Sequence, residues 1–340
     1  AADGRHYLQL LFHHLAIDQT SLSQMLQEVR QLQGGDAELA PSLPFRNFVA
    51  QARLGIGAAE HEAYFRAELG EVDEPTAAFG LQGNRGDGDG LDESRLRLPA
   101  ELTDRLRRQA RRLGVSVASL AHLAWGRVLA RASGQETVVF GTVLFGRLQG
   151  GAGADRALGL FINTLPLKLE LGGFSVAQAA RRTQQALTRL LRHEHAPLAL
   201  AQRCSGVAAP LPLFSALLNY RHGSDGDERG IAGDGITVMA DQSRTNYPLT
   251  LSVDDFGDAG LALQAQVPAT VGAARICAQM ERTLTSLTEA LEAGGGESVG
   301  TLEVLSNGER HLLLEVFNAT AAPYPEQALV HQLFEAKAAE

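Results

Sequence analysis

The sequence has few cysteines and no long hydrophobic run. Its two cysteines, Cys204 and Cys277, stand far apart among 340 residues. This spacing excludes a disulfide framework and a cysteine-rich zinc site, and it favours a reducing, cytoplasmic setting. The apolar runs are interrupted by Arg, Glu or Gly, far below the roughly 20 residues that a membrane-spanning helix needs. No repeat occurs at a solenoid or propeller period, which excludes those arrays.

Positive charge is also scarce relative to negative charge. Thirty basic and 39 acidic side chains leave a formal net charge of −9. Such a surface repels a phosphate backbone, so nucleic acid is not an expected partner. The 45% hydrophobic and 20% charged content is typical of a folded chain large enough for two cores. Because the chain lacks both an initiator Met and a signal peptide, we interpret it as a piece of a longer polypeptide.

Strand and helix patterns alternate along the chain and predict a mixed α/β fold. Residues 5–14 are crowded with apolar side chains, which predicts a central strand buried on both faces. Further strands are predicted at 91–98, 137–144, 161–171, 212–220, 249–256 and 261–267. Helices are predicted after the caps at 18–21, after Pro44, before Gly70, and at 99–113, 116–132, 175–193 and 271–291. Residues 80–90 indicate an exposed, mobile loop.

The most informative string is His13-His14-Leu15-Ala16-Ile17-Asp18, where the predicted strand 5–14 gives way to a helix. Neighbouring side chains on a strand point to opposite faces, so His13 and His14 would not bind one ligand together, which disfavours a metal site. One histidine that faces a cavity suffices as a general base, because an imidazole takes up and returns a proton near neutral pH. Asp18 either caps the helix or pairs with an arginine.

Other polar groups have structural interpretations that we favour. The string His193-Glu194-His195 ends a helix, where a cation would complement the helix dipole. Asn163 and Asn219 lie in apolar strands, which predicts hydrogen-bonded scaffold roles. The predicted helix at 99–113 is rich in arginine, which predicts a solvated face, with contact to an acidic protein as the alternative. Its arginines are Arg105, Arg107, Arg108, Arg111 and Arg112.

Two apolar or small-residue features also favour structural roles. Trp125 lies in the more apolar of two neighbouring helices and is expected in the core. The glycines Gly146, Gly150, Gly151 and Gly153 match neither GxGxxG nor GxxxxGK[ST], so we interpret them as a flexible connection rather than a nucleotide cradle.

At the histidine string the chain resembles the condensation domains of nonribosomal peptide synthetases, whose HHxxxDG motif has Gln19 here in place of the glycine. Further strings are similar to later signatures of that family, in the same order: PFRNFVA at 44–50, GLFINTLPL at 159–167 and PLF at 212–214. The tail at 317–325 and 330–335 is similar to the linker and opening of an adenylation domain. Residues 46–53, 143–147, 193–195 and 246–249 are most similar to the dual epimerization/condensation subtype.

The resemblance implies a two-lobed α/β fold like that of chloramphenicol acetyltransferase, with the N-terminal lobe truncated. Residues 1–45 would be the C-terminal part of the N-lobe, and 46–300 the C-lobe. Residues 301–325 would be a linker, and 326–340 the start of an adenylation domain.

The resemblance also implies an amide-forming acyltransferase. A carrier-bound acyl or peptidyl thioester would be the donor and a carrier-bound aminoacyl thioester the acceptor, with possible epimerization of the donor Cα. His14 would relay the proton, His13 and Asp18 would support the motif, and the arginine partner of Asp18 would lie upstream of residue 1. Many family members carry Ser or Thr where Phe145 stands, so that position supplies no hydroxyl beside the histidine.

The expected partners are the donor and acceptor peptidyl carrier domains and the adjacent adenylation domain, without nucleic acid or membrane. The domain would bind no cofactor or metal, since the phosphopantetheine arms belong to the carriers. Two alternatives stay open: a non-catalytic carrier-docking domain of the same fold, and a free-standing transferase, which the adenylation-like tail disfavours. We expect the isolated chain to be inactive.

Overall fold

The computed structural model describes residues 6–35, 38–39, 41–81, 83, 90–147, 156–222, 239, 245–322 and 327–340. The predicted loop at 80–90 and the glycines at 150, 151 and 153 lie largely or wholly outside these residues. The chain divides into two compact units, Ala1–Val304 and Leu305–Glu340. The predicted domain boundaries stay predictions.

The first unit alternates helices and strands, as the sequence pattern predicts. Its helices are α1 (Gln19–Gln33), α2 (Phe45–Leu54), α3 (Ala58–Leu69), α4 (Ala100–Leu113), α5 (Val117–Ser133), α6 (Val176–Arg192), α7 (Leu198–Arg203) and α8 (Ala273–Glu292). Its strands are β1 (Leu91–Arg97), β2 (Thr137–Leu144), β3 (Asn163–Glu170), β4 (Ala216–His222), β5 (Leu249–Asp255) and β6 (Leu261–Pro268). Strand β4 starts at Ala216 rather than at the predicted residue 212, because its pairing with β5 begins only at Ala216.

The strands of the described residues form one six-stranded mixed sheet in the order β1-β6-β5-β4-β2-β3. Strand β4 runs parallel to both β2 and β5, whereas the β1–β6, β5–β6 and β2–β3 pairs are antiparallel. The strands predicted at 249–256 and 261–267 are β5 and β6, and they pair as an antiparallel hairpin.

Helix α5 supplies the centre of the core. Ser116 caps its start by accepting the Ser119 N–H, and Gly134 ends it in the left-handed conformation with φ 74°. The residues between Ser119 and Ala130 are buried all round the helix, and Trp125 is fully buried as predicted. Helices α6 and α8 pack beside α5, and α8 also contacts β1 and β6. The sheet is therefore fixed by helices whose apolar periodicity was readable in the sequence.

The strand predicted at residues 5–14 is wrong. The described part of this segment forms no ladder, and its apolar side chains are exposed: Tyr7 by 61%, Leu8 by 89% and Leu11 by 82%. A strand needs a neighbour to pair its N–H and C=O groups. Among the described residues no segment pairs with 6–13, so the apolar pattern indicated a strand that this part of the chain does not form.

The second unit contains α9 (Asn307–His311), a π-helical turn (Leu312–Val316) and α10 (Val330–Ala339). Within the described residues, no single helix has both the length and the apolar character to cross a membrane. One bent pair, α4 with α5 at 106°, meets that test when the two helices are counted together.

Candidate active site

The histidines of the predicted motif lie on an exposed turn rather than on a strand. The N–H of Ala16 donates to the carbonyl of His13 at 2.8 Å and closes the turn. The Nδ1 of His13 accepts the N–H of Leu15 at 2.9 Å, so the His13 ring holds the backbone of the turn. Both rings are exposed, so neither histidine packs inside as the strand geometry predicted. The roles of His13 as support and His14 as proton relay stay predictions.

His14 is held by its own loop. Its Nδ1 lies 3.2 Å from the carbonyl oxygen of Ile17. A carbonyl only accepts hydrogen bonds, so Nδ1 carries the hydrogen and Nε2 carries the lone pair of the neutral ring. The side chain is exposed, with its ring edge against Phe12 at 5.8 Å between centroids. The arrangement presents a basic nitrogen to an incoming molecule.

Asp18 lies beneath this turn and is 1% exposed. Its Oδ1 accepts the N–H of Ser21 at 2.8 Å and so caps α1. Its Oδ2 accepts the N–H of Phe161 at 3.2 Å, and Nη2 of Arg147 lies 2.9 Å from Oδ1 and 3.1 Å from Oδ2. Asp18 therefore performs both roles that the sequence left open.

The arginine partner of Asp18 was placed wrongly by the sequence. It is Arg147, 129 residues further along the chain, rather than a residue upstream of residue 1. Arg147 also donates from Nη1 to the carbonyl of Ala157 at 3.0 Å, and its guanidinium lies 3.8 Å from the ring centroid of Phe161. The string 143–147, which carries part of the resemblance to the dual subtype, was the signal that could have identified it.

Ser21 joins α1 to the segment that precedes β3. Its Oγ donates to the carbonyl of Gly159 at 2.8 Å and accepts the Gly159 N–H at 3.0 Å. Arg147 Nη2 reaches the same oxygen at 3.1 Å. Asp18 therefore accepts from two backbone N–H groups and from Arg147, and Arg147 Nη2 also reaches Ser21 Oγ. A buried ion pair needs such additional hydrogen bonds in order to offset its desolvation.

Two glycines permit this close approach. A Cβ at Gly159 would lie 2.2 Å from Cδ2 of Phe45, and a Cβ at Gly146, which has φ +64°, would lie 2.0 Å from the carbonyl oxygen of Phe161. The rings of Phe45 and Phe48 lie 5.1 and 4.4 Å from that of Phe161. Helix α2 and the 159–163 segment are therefore packed together directly beside the Asp18 pair.

The predicted cation at the end of α6 is wrong. His193 Nδ1 lies 2.9 Å from Nδ1 of His61 on α3, and its ring stacks on Tyr64 at 4.0 Å. Burial lowers the pKa of both His61 and His193, which keeps them neutral near pH 7. Nothing in the local sequence links α3 to the end of α6, so this pair was missed.

The turn after α6 is tied to the site by Asn163. Its Nδ2 donates to the carbonyls of Glu194 and Ala196, each at 2.8 Å, which confirms its predicted scaffold role. The ring of His195 meets Phe48 edge-on at 5.1 Å. Asn219 was predicted to be hydrogen-bonded in the same way, and this is wrong for its Oδ1. That oxygen is buried and forms no hydrogen bond with the residues that the structure describes.

The arginines of α4 are only partly a solvated face. Arg105 pairs with Glu292 at 2.6 Å, Arg107 pairs with Asp255, and Arg112 donates to the carbonyl of Leu291. Arg108 and Arg111 are exposed. The predicted solvated face is therefore wrong for Arg105, Arg107 and Arg112, which bind α8 and β5. Helical spacing alone does not show which element faces each side chain.

Within the residues that the structure describes, no group of three or more His, Cys, Asp or Glu side chains is arranged to hold a metal ion. The polar centre around Asp18 is instead filled by protein hydrogen bonds.

The sequence profile of the Condensation domain family matches residues 1–314. The chain belongs to the condensation domain family. It is 46% identical over 334 residues to malpinin synthetase from Mortierella alpina, covering 98% of this chain and 4% of that protein. It is 32% identical over 354 residues to a linear gramicidin synthase protein from Brevibacillus parabrevis, covering 98% of this chain and again 4% of the relative. The condensation domain therefore spans a small fraction of these relatives.

Solved structures confirm the predicted mixed α/β fold. The first condensation domain of the CDA synthetase gives a TM-score of 0.68 at 22% identity, covering 86% of this chain and 66% of that one. The condensation domain from the monacolin K polyketide synthase MokA gives 0.66 at 20% identity, covering 85% and 70%. The six-stranded sheet with its helices fits the two-lobed chloramphenicol acetyltransferase-like architecture.

Proposed function

We propose that this condensation domain joins a carrier-bound acyl or peptidyl thioester to the amine of a carrier-bound aminoacyl thioester. The observation that carries the proposal is the exposed His14 side chain, whose Nδ1 binds the carbonyl of Ile17 and so leaves Nε2 as the basic nitrogen of the neutral ring. Family membership supports the reaction class, and the peptide synthetase relatives support carrier-bound substrates.

In the proposed step the amine nitrogen attacks the thioester carbon. The C–N bond forms, the C–S bond breaks, and the proton lost by the nitrogen passes through Nε2 of His14 to the departing sulfur. A positioned base of this kind contributes about 10²- to 10⁴-fold to the rate. His13 and Asp18 act as positioning residues: His13 holds the N–H of Leu15, and Asp18 anchors the start of α1.

The proposed partners follow from the substrates. They are a donor and an acceptor carrier domain, each bringing a phosphopantetheine arm, together with an adjacent adenylation domain whose start we assign to residues 326–340. The condensation domain itself would bind no cofactor.

The finer proposal is the dual epimerization/condensation subtype, supported by the strings at 46–53, 143–147, 193–195 and 246–249. His14 would then also exchange the donor Cα proton before condensation. A donor loaded with the L-amino acid should give product with the D-configuration at that residue. Product that keeps the L-configuration throughout would contradict the subtype and leave the condensation proposal standing.

The test of the function is product formation in the synthetase that contains this domain. Donor-loaded and acceptor-loaded carriers are mixed with it, and the product on the acceptor carrier is identified by mass spectrometry. We expect the mass of the joined amide. Carrier binding without any amide product would favour the non-catalytic docking domain instead.

A further inference from the structure

One face of the sheet carries a continuous strip of polar side chains. Alternate residues of a strand share a face, and so do residues paired across neighbouring strands. Asn219 on β4 is paired with Ser252 on β5, and Thr250 lies two residues before Ser252. Ser252 is in turn paired with Gln264 on β6. We call Asn219, Thr250 and Ser252 the β4–β5 polar strip.

On the β6 side the neighbouring polar groups satisfy one another. Arg221 binds both carboxylate oxygens of Asp254, at 2.6 and 3.0 Å, and donates to Oε1 of Gln264 at 3.0 Å. The positive and negative charges cancel within this cluster. Among the described residues beside the strip, Arg95 Nη2 also lies 3.9 Å from Asp254 Oδ2, and Glu93 accepts from Gln264 and Gln266. This mixture of acidic and basic side chains does not favour a carboxylate or a phosphate over a neutral group.

Within the strip itself two polar atoms have no partner. Asn219 Oδ1 and Thr250 Oγ1 are buried and form no hydrogen bond with the residues that the structure describes. Thr250 and Ser252 are each 8% exposed, whereas Asn219 is half-buried, so the strip reaches solvent at Asn219. An unsatisfied buried polar group destabilises the folded protein. Two of them at diagonal positions on adjacent strands call for an explanation.

An apolar wall borders the strip on the β2 side. The ring of Phe214 lies over Gly141, where a Cβ would be 2.5 Å from Cε2, and it stacks on Tyr247 at 5.6 Å. Strand β2, which pairs with β4, leads from Leu144 to Arg147, the partner of Asp18. The strip thus lies one strand away from the segment that supports the histidine turn.

We propose that the β4–β5 polar strip binds a secondary amide of the carrier-borne substrate. Asn219 Oδ1 accepts the amide N–H, and the Thr250 hydroxyl donates to an amide carbonyl, while the neighbouring aromatic wall packs against the intervening carbons. The inference rests on the proposed function, since carrier-borne substrates supply such amides from two sources: the pantetheine arm and the peptide itself.

The first measurement separates ligand binding from folding. Thr250→Val removes only the unpartnered hydroxyl, so we expect the melting temperature of the synthetase domain to stay the same or rise. The matched control is Thr283→Val, because the Thr283 hydroxyl donates to the carbonyl of Gln279 at 2.7 Å. We expect the control to lower the melting temperature.

The second measurement is amide formation by the same variants in the full synthetase. With wild-type protein giving product, we expect Thr250→Val to raise KM about 3- to 10-fold with kcat unchanged, the loss of one hydrogen bond made equally in ground and transition states. Asn219→Leu should do the same, and Thr283→Val should leave KM unchanged.

Substrate pairs identify which amide is bound. If the KM effect is present with aminoacyl-pantetheine and absent with an aminoacyl S-ethyl thioester, whose thiol part carries no amide, the strip binds the arm. If it appears only when a dipeptidyl donor replaces an aminoacyl donor, the strip binds the peptide. An unchanged KM for Thr250→Val and Asn219→Leu with every substrate overturns the inference. Absence of product from the wild-type protein would instead refute the proposed function.

Discussion

The two ends of the histidine motif are held in opposite ways. His13 and His14 lie on an exposed turn fixed by a few short-range hydrogen bonds. Asp18, later in the same motif, is buried and joined to α1, to the 159–163 segment and to Arg147. A side chain that meets substrate has to stay accessible, so the rigidity of the turn comes from the buried residues beneath it.

The buried pair should give the largest response to mutation. Arg147→Met keeps a long apolar side chain over Phe161 but leaves the Asp18 carboxylate without its cation. Breaking a buried pair in this way costs about 3–5 kcal/mol, so we expect that loss in the free energy of unfolding. Urea denaturation measures it. A loss below about 1 kcal/mol would show that the two backbone N–H donors to Asp18 suffice.

Acid should weaken the buried core, in contrast to the loss of charge pairing that Arg147→Met tests. His122 on α5 donates from Nδ1 to the carbonyl of Ala118 at 2.6 Å, and its Nε2 lies 2.7 Å from Oγ1 of Thr142. Burial lowers the pKa of His122 to about 4. In the unfolded chain His122 is protonated below about pH 6.5, whereas in the folded protein it stays neutral down to about pH 4. The folded state therefore keeps its full stability above pH 6.5 and loses stability as the pH falls toward 4.

The size of this acid effect is about 3 kcal/mol, on the order of 1.4 kcal/mol for each pH unit between the two pKa values. Stability measured by urea denaturation at pH 7 and pH 4.5 tests it. A His122→Leu, Thr142→Val double variant removes both polar partners and should lose less stability between the two pH values. Equal losses in the variant and the wild type would assign the acid effect to other groups, such as the His61–His193 pair.

Gly159 tests how tightly the support is packed. In Gly159→Ala the new Cβ meets the ring of Phe45, which has to move away from Phe161. Overpacking of this kind costs about 1–3 kcal/mol. Gly296→Ala is the matched control, because a Cβ there would have no atom within 4 Å. Thermal unfolding of the two variants should differ, and equal melting temperatures would contradict the packing argument.

An exposed ion pair should give the smallest effect. Arg189 and Glu68 join α6 to α3 at 3.0 Å, with side-chain exposures of 51% and 25%. Solvent screens such a pair, so Arg189→Met should change the free energy of unfolding by less than about 1 kcal/mol. The comparison with Arg147→Met uses the same substitution in two environments. A loss as large as that of Arg147→Met would remove the distinction between them.

Local patterns predicted most of this fold, and long-range pairings were the part they missed. Strand β2 was predicted at 137–144 and occupies Thr137–Leu144, because its β-branched run sits between clear breaks. Helix α5 was predicted at 116–132 from its apolar composition, and it occupies Val117–Ser133. The segment 5–14 failed, since apolar composition cannot show whether a pairing neighbour is present.

The candidate site divides in the same way. His13, His14 and Asp18 were identifiable because they fall in one short string. Arg147 was not, because its role depends on a contact across 129 residues. His61 carried no signal, since an isolated histidine on a helix gives no indication of the α6 terminus that it meets.

The single-turnover rate of amide formation by His14→Ala in the full synthetase tests the central claim most directly. His14 is exposed, so the free energy of unfolding should stay near that of the wild type, and carrier binding should be retained. We predict a rate lower by about 10²- to 10⁴-fold. A His14→Ala rate within about twofold of the wild type would contradict the assignment of the proton relay to this imidazole.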